Sequence, residues 1–532
     1  MPRRVAAFGR GGKGRGRFRV GLALPSGYTP NMLRRDLLAR AVAWPLAASV
    51  AQGAVLPRRA AAARTFAAGS GAMERLRHRL AALAAEGLIS IPPEALPVAL
   101  GSTSGLWRVA AQALAELLHG ILPALPDRPD VRRDVATLPL EPWLARLAAA
   151  AEPAEVLEAA IALDPWAAPL RAELARLRRL EAAGGWPAFP QAAGTLEPGR
   201  RDERVPALRA RLAAEDPAVA ALPDHGTLYD RDLVEAVKRW QAAHFLEPDG
   251  RIGRVTQKAL NAPVAQRIAQ CLATLDMRRA AARPGSERRI EVNLPSFWFT
   301  LTENGRTLLD MAVIVGRPDR PTPLLETRLT AVQFNPPWGV PERNARQDLL
   351  PRFRRDPVAM RERGFRLFRV VNGERVEVDP REVDWSRITE RNFPFLVRQD
   401  AGDANALGRI KFIMPNREAI FMHDTPDRHL FRTADRAYSS GCIRLSRPLE
   451  LLDLLFEGMP GWDRTRAEQA IASGETSTLS LRNPPRVLLS YRTTEVVEGR
   501  VRMRPDLYDL DLAYVQALRR HAAAVARAAE AG

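Results

Sequence analysis

Residues 423–445 read HDTPDRHLFRTADRAYSSGCIRL, and the two ends of this stretch carry the clearest chemistry in the chain. His423 closes an apolar run, Ile420-Phe421-Met422, that reads as a strand able to hold an imidazole rigidly at a sheet edge. Cys442 follows 19 residues later, with Gly441 before it and Arg444 two positions beyond. Nucleophilic catalysis by sulfur needs a thiolate, a base to generate it and donors for the developing oxyanion. A free thiol titrates only about 1–2 units above neutrality, so a histidine base suffices. Glycine at 441 permits a tight turn from which the N–H groups of Gly441 and Cys442 converge on one point. In an extended segment Arg444 shares a side with Cys442, where its fork either binds a substrate carboxylate or closes a structural salt bridge. Ser439 orients the site or closes the turn, and Tyr438 packs. A lone cysteine is often a buried, inert thiol. The company of His423, Gly441 and Arg444 makes Cys442 the candidate nucleophile and His423 its general base.

Around this stretch the chain has β character. Ile290 to Leu294 and Phe297 to Leu301 read as strands, Glu303-Asn304-Gly305 as a hairpin turn and Leu308 to Val315 as the next strand. Ile410 to Met414 and Ala419 to His423 return to strand, and ahead of them about 342–405 is Arg-rich, helical at first and then mixed, as expected of an insertion capping the sheet. This gives a mixed β-rich domain at 288–490, followed by a C-terminal extension at 491–532. Upstream, Leu233, Val237, Trp240 and His244 fall on one face of a helix that Asp230 can cap. A turn through Gly250 and Gly253 leads to a second helix, Val255 to Leu260, within a compact unit at 201–264. His244 reads as a packing residue, since no partner ligands for a metal lie nearby. Residues 73–200 form a helical scaffold, with Leu76, Leu80, Leu83 and Leu88 near helical spacing and proline groups between segments. The fold class is therefore α+β multidomain.

The pattern YDxxLVxAVKxWQxxHxLxxDGxIGxxTxxALN (229–261) resembles the three-helix peptidoglycan-binding module of wall enzymes. HDTPxxxLF and SSGCIR resemble the catalytic motif of the L,D-transpeptidases, in particular the large YcbB-like subgroup. The likeness extends through VIVGRPDRPTP (313–323), FNPPWGVP (334–341) and NALGRIKFIMPN (405–416). Many family members have His directly before Gly-Cys; here Ser440 stands there, a mark of that subgroup. The resemblance implies 3→3 cross-linking of peptidoglycan. The cysteine would take an acyl group from a donor tetrapeptide stem, release D-alanine and pass the acyl group to an acceptor amine. It also implies inhibition by carbapenems and residence in the periplasm, with no cofactor and no metal. Ser439, Ser440, Arg444 and Trp338 are the candidate substrate contacts, Trp338 being either a cleft wall or a core aromatic. The group that orients His423 is either a backbone carbonyl or an unplaced side chain. Hydrolysis of the thioester, as in an L,D-carboxypeptidase, and a non-catalytic wall-binding scaffold are the alternatives.

Charge and composition limit the other classes. The net charge of +18 would attract nucleic acid, but the arginines are spread along the chain among acids and no base-reading motif appears, so no nucleic-acid partner is expected. None of Lys13, Lys238, Lys258 and Lys411 has Ser three residues before it, which removes the Ser-x-x-Lys chemistry of penicillin-binding enzymes. Cys271 sits among Ile268, Leu272 and Leu275 and reads as buried, although a disulfide with Cys442 is the bland pairing of two cysteines. Arg34-Arg35, the apolar stretch to Val50 and the small residues after it read as an export signal within an extension at 1–54, followed by a linker at 55–72. That signal is the only expected membrane contact.

Overall fold

The spacing of Leu76, Leu80 and Leu83 turns one face of the helix Ser70–Ala85 into a core, where all three are fully buried. The helices Thr103–His119, Leu140–Ala149, Pro153–Ile161 and Ala167–Ala182 pack their apolar stripes on it. Ser102 caps Thr103–His119, its hydroxyl accepting from Gly105 N–H. The computed structural model describes residues 66–122, 124–125, 128–132, 138–279 and 287–531. The extension and export signal at 1–54, and the linker up to residue 65, lie outside the described residues. Among the described residues no helix is long and apolar enough to cross a membrane.

Two later segments join this helical core. The helix Val264–Arg279 buries Ile268, Cys271 and Leu275 in it, and the C-terminal helix Leu510–Ala531 contributes Tyr514, Val515 and Leu518. Asp276 ties three parts of the chain together, accepting from Ile121 N–H at 2.6 Å and from Tyr514 Oη at 2.7 Å. The segment expected as a C-terminal extension is thus a strand pair, Thr494–Val497 with Arg500–Met503, and a helix seated in the first core.

The small helical unit has its own core. Asp230 caps Arg231–Ala243 by accepting from Leu233 N–H, and Leu233, Val237 and Trp240 are buried. Tyr229, buried beside the cap, donates from Oη to Gly250 carbonyl at 2.7 Å and so fixes the following turn. His244 is a packing residue: its ring stacks on Trp240 at 3.9 Å and its Nδ1 meets Trp240 carbonyl at 2.8 Å.

The β-rich half is one large curled sheet. Its strands are β1 (Arg289–Asn293), β2 (Trp298–Glu303), β3 (Arg306–Gly316), β4 (Leu325–Arg328), β5 (Ala331–Phe334), β6 (Ile410–Ile413), β7 (Met422–His423), β8 (Ala437–Ser439), β9 (Ile443–Leu445), β10 (Ser477–Ser480) and β11 (Arg486–Ser490). They lie in the order β10-β5-β6-β7-β9-β3-β2-β1-β11-β4, with β8 against the end of β3. Asn304 and Gly305 both adopt positive φ, 51° and 73°, which gives the β2–β3 hairpin its tight turn. The strand expected over Ala419–His423 is shorter than its pattern suggested. Ala419 is left-handed at φ 54°, and the Asn416 side chain accepts from Ile420 N–H and donates to Ile420 carbonyl, holding 416–420 as a turn. Between β5 and β6 the insertion builds a separate antiparallel sheet from Glu374–Val378, Phe365–Val371, Leu396–Gln399 and Trp338–Val340. Its core centres on Phe353, stacked on Trp385 at 4.9 Å.

Candidate active site

Strand pairing brings the two ends of the 423–445 stretch together. β7 and β9 run parallel, with Met422 opposite Ile443 and His423 opposite Arg444, and Ile443 N–H donates to Phe421 carbonyl at 3.1 Å. Met422 and Ile443 point into the hydrophobic core and are fully buried. His423 and Arg444 therefore stand on the opposite face, and Cys442, two residues before Arg444, lies on their side.

His423 is 4% exposed, and its Nδ1 lies 2.5 Å from the carbonyl of Asp424. A carbonyl only accepts, so the proton sits on Nδ1 and Nε2 is left as the basic nitrogen. The orienting group is thus a backbone carbonyl. Asp424 is itself fixed by its side chain, which accepts from Arg409 N–H at 3.1 Å and pairs with Arg428. Gly408 makes this possible: it is left-handed at φ 62°, and a Cβ there would lie 2.4 Å from Asp424 Oδ2.

Burial, then the charge of Arg444 and to a lesser extent that of Lys411, hold His423 down to about 3, with the Asp424 carbonyl acting the other way. Burial also pushes the Cys442 thiol up, against the Phe421 backbone and the charges of Lys411 and Arg444. The resting pair at neutral pH is a thiol beside a neutral imidazole rather than a preformed ion pair. Cys271 is fully buried in the helical core and its thiol is driven up by that burial; both cysteines are free.

The turn before Cys442 is tightly built. Gly441 has φ 120°, a conformation side chains rarely adopt, and a Cβ there would press on Ile420 Cδ1 at 3.1 Å. Ser439 is buried and closes the turn, donating to Cys442 carbonyl at 2.6 Å and accepting from Gly441 N–H at 3.1 Å. The expectation that Gly441 N–H aims at an oxyanion is therefore corrected, because that donor is engaged by Ser439. The N–H of Cys442 has no partner among the described residues. Thr322, which sequence reasoning passed over, locks the turn to the end of β3: its Oγ1 accepts from Gly316 N–H at 2.8 Å and donates to Gly441 carbonyl at 2.7 Å.

Other candidates are placed differently from expectation. Arg444 gives Nη1 to Asp427 at 2.9 Å, so the structural salt bridge is what the geometry contains, although its buried Nε has no partner among the described residues. Ser440 is exposed and its Oγ accepts from Arg320 at 3.0 Å. The buried Arg320 also pairs with Asp348 and donates to Gln347, tying the insertion to the active-site turn. Trp338 is half-buried on the insertion's sheet, edge-on to Phe365 at 6.5 Å, and belongs to the insertion's core. Lys411, directly across β6–β7 from His423, was passed over as a strand residue, and its position opposite a catalytic candidate became visible only from the register.

The chain is similar in sequence to several known proteins. The YkuD family of L,D-transpeptidase catalytic domains matches residues 287–461, and the family described as "Putative peptidoglycan binding domain" matches 201–260. A Haemophilus influenzae protein named "Putative L,D-transpeptidase" is 37% identical over 244 residues, covering 46% of this chain and 48% of that protein. The chain thus spans about half the length of the curated relative it matches. Among solved structures, an L,D-transpeptidase from Mycobacterium smegmatis has 15% identity over 39% of this chain and 59% of its own, with a TM-score of 0.19. One from Xylanimonas cellulosilytica has 14% identity over 56% of this chain and 99% of its own, with a TM-score of 0.18. His423, Gly441, Cys442 and Arg444 lie inside the segment that matches the YkuD L,D-transpeptidase catalytic domain, and the segment that matches a peptidoglycan-binding domain precedes it.

Proposed function

We propose that this protein is an L,D-transpeptidase that forms 3→3 cross-links in peptidoglycan through an acyl-Cys442 intermediate. The observation that carries the reading is the parallel register of β7 and β9, which sets a neutral His423 and Cys442 on one polar face of the sheet. Nε2 of His423 takes the thiol proton as sulfur attacks the carbonyl of the third residue of the donor stem. The Cys442 N–H is the available donor for the oxyanion. Collapse breaks the C–N bond to the terminal D-alanine, whose amine leaves with the proton from His423, and a thioester remains. The neutral acceptor amine of a second stem attacks this thioester, His423 accepts its proton, and the thiolate departs and is reprotonated. The peptidoglycan-binding domain supports action at the cell wall, and the reading includes export to the periplasm and acylation by carbapenems.

The test is intact mass and product analysis of wild type and Cys442→Ala, each given a carbapenem and a disaccharide tetrapeptide. A stable adduct and a 3→3 dimer in wild type alone are expected. An adduct with tripeptide as the only product would replace transpeptidation by carboxypeptidase activity. Neither adduct nor turnover in wild type would overturn the reading in favour of a wall-binding scaffold.

A further inference from the structure

Strand register places a row of polar side chains across five strands on the face that carries Cys442. Thr478 on β10 is opposite Gln333 on β5, Gln333 is opposite Lys411 on β6, Lys411 is opposite His423 on β7, and His423 is opposite Arg444 on β9. Directly opposed residues point to the same side of a sheet, and strands lie about 4.8 Å apart, so the row is roughly 19 Å long. The alternate residues Val332, Phe334, Ile410, Phe412, Met422 and Ile443 are buried in the core beneath it. Gln333 Nε2 donates to Thr478 Oγ1 at 3.3 Å, which continues the row toward the sheet edge.

The two cations of this row differ in what they hold. Arg444 is paired with Asp427. Lys411 is half-buried with Nζ 4.0 Å above the Phe421 ring, and among the described residues no carboxylate pairs with it. Burial pulls its ammonium down, while the nearby Cys442 acts the other way. A half-desolvated ammonium supported by one aromatic ring is poorly compensated until an anion arrives. The simpler reading, a lysine whose stem merely covers Phe421, leaves that ammonium uncompensated beside the nucleophile. A donor whose third residue bears a free carboxylate would also bring negative charge close to a developing thiolate, and a cation one strand from His423 offsets that repulsion.

We propose that Lys411, assisted by Gln333, is the subsite that binds a free carboxylate of the donor peptide beside the scissile carbonyl. This rests on the transpeptidase reading above and assigns its donor specificity. Lys411 then acts twice, as the ion-pair partner of the substrate and as a fixed positive charge near the sulfur. Gln333 supplies an amide to the same carboxylate and aligns it along the row.

The experiment compares two donor tetrapeptides, identical except that the side-chain carboxylate of the third residue is free in one and a primary amide in the other. The readout is the ratio of kcat/KM for acid over amide. Wild type should prefer the acid by about 10- to 100-fold, as a charge-assisted pair implies. Lys411→Met should bring the ratio close to one, chiefly through KM for the acid, and Lys411→Arg should retain most of it. Gln333→Leu should lower it by a few-fold. If wild type uses acid and amide donors equally, the subsite is wrong whatever the variants do, including any that fail to fold. Equal losses on both donors in folded Lys411→Met would overturn it as well. No acylation of wild type by either donor would instead sink the transpeptidase reading itself.

Discussion

Replacing Thr322 by valine tests whether the active-site turn is held by hydrogen bonds or by packing. Thr322 is 2% exposed, and its hydroxyl joins Gly316 N–H to Gly441 carbonyl. The surroundings cannot close up to re-pair these groups. Gly316 is already so crowded that a Cβ would lie 2.3 Å from Arg320 carbonyl. Valine matches the shape but strands a buried donor and a buried acceptor, at about 1–3 kcal/mol each, less the small gain from an added methyl. The net cost is roughly 2–5 kcal/mol. Serine keeps both bonds and loses one buried methyl, about 1 kcal/mol. For a domain of this size each kcal/mol moves Tm by about 2–4 °C. Valine should therefore lower the melting of the catalytic domain by about 5–15 °C and serine by only about 2–4 °C, measured by near-UV circular dichroism. Hydrophobic burial alone would give the reverse order. A valine variant as stable as wild type, or more stable than the serine variant, would refute the argument.

Three further predictions concern the catalytic pair and its support. Alkylation of Cys442 by iodoacetamide should rise with pH through a midpoint above the roughly 8.5 of free cysteine, because burial raises the thiol, and Lys411→Met should move that midpoint higher still. A midpoint below 8 would contradict the neutral resting pair. His423 is held at about 3 when folded against about 6.5 for a free imidazole, so its contribution to stability is intact above 6.5 and is lost as pH falls toward 3; His423→Gln should melt with a shallower acid dependence across that window. Gly408→Ala forces a Cβ against Asp424 in a left-handed backbone. It should slow acyl-enzyme formation at least about 10-fold by intact-mass kinetics, and an unchanged rate would show that Asp424 does not position the imidazole.

The parts legible in the sequence are those set by local chemistry. Asp230 ahead of an amphipathic run, Asn304-Gly305 between alternating strands, and Gly441 before Cys442 each dictate a conformation within a few residues. The juxtaposition of Cys442 and His423 was legible through their motif, since the 18 residues between them return the chain to the neighbouring strand. What escaped was non-local. Thr322 meets Gly441, and Arg320 meets Ser440, across more than a hundred residues, and neither carries a spacing signal. Lys411 stands opposite His423 only because Asn416 turns the chain back at a particular residue, and in β pairing a shift of one would have sent it to the other face. Arg444 shows the converse: its motif position allowed a ligand contact or a salt bridge, and only the structure shows Asp427 pairing with one nitrogen of its fork.

The C-terminal helix has a consequence for how the chain is made. The helical core contains Leu76, Leu80 and Leu83, yet it also needs Tyr514, Val515 and Leu518, which leave the ribosome only after the whole β-rich domain. The entire β-rich domain, residues 289–490, is synthesised between the opening and the closing of that core. Such long sequence separation slows closure and leaves apolar helix faces uncovered during synthesis. A nascent chain stalled before residue 503 would accordingly hold an open helical domain beside an otherwise complete sheet.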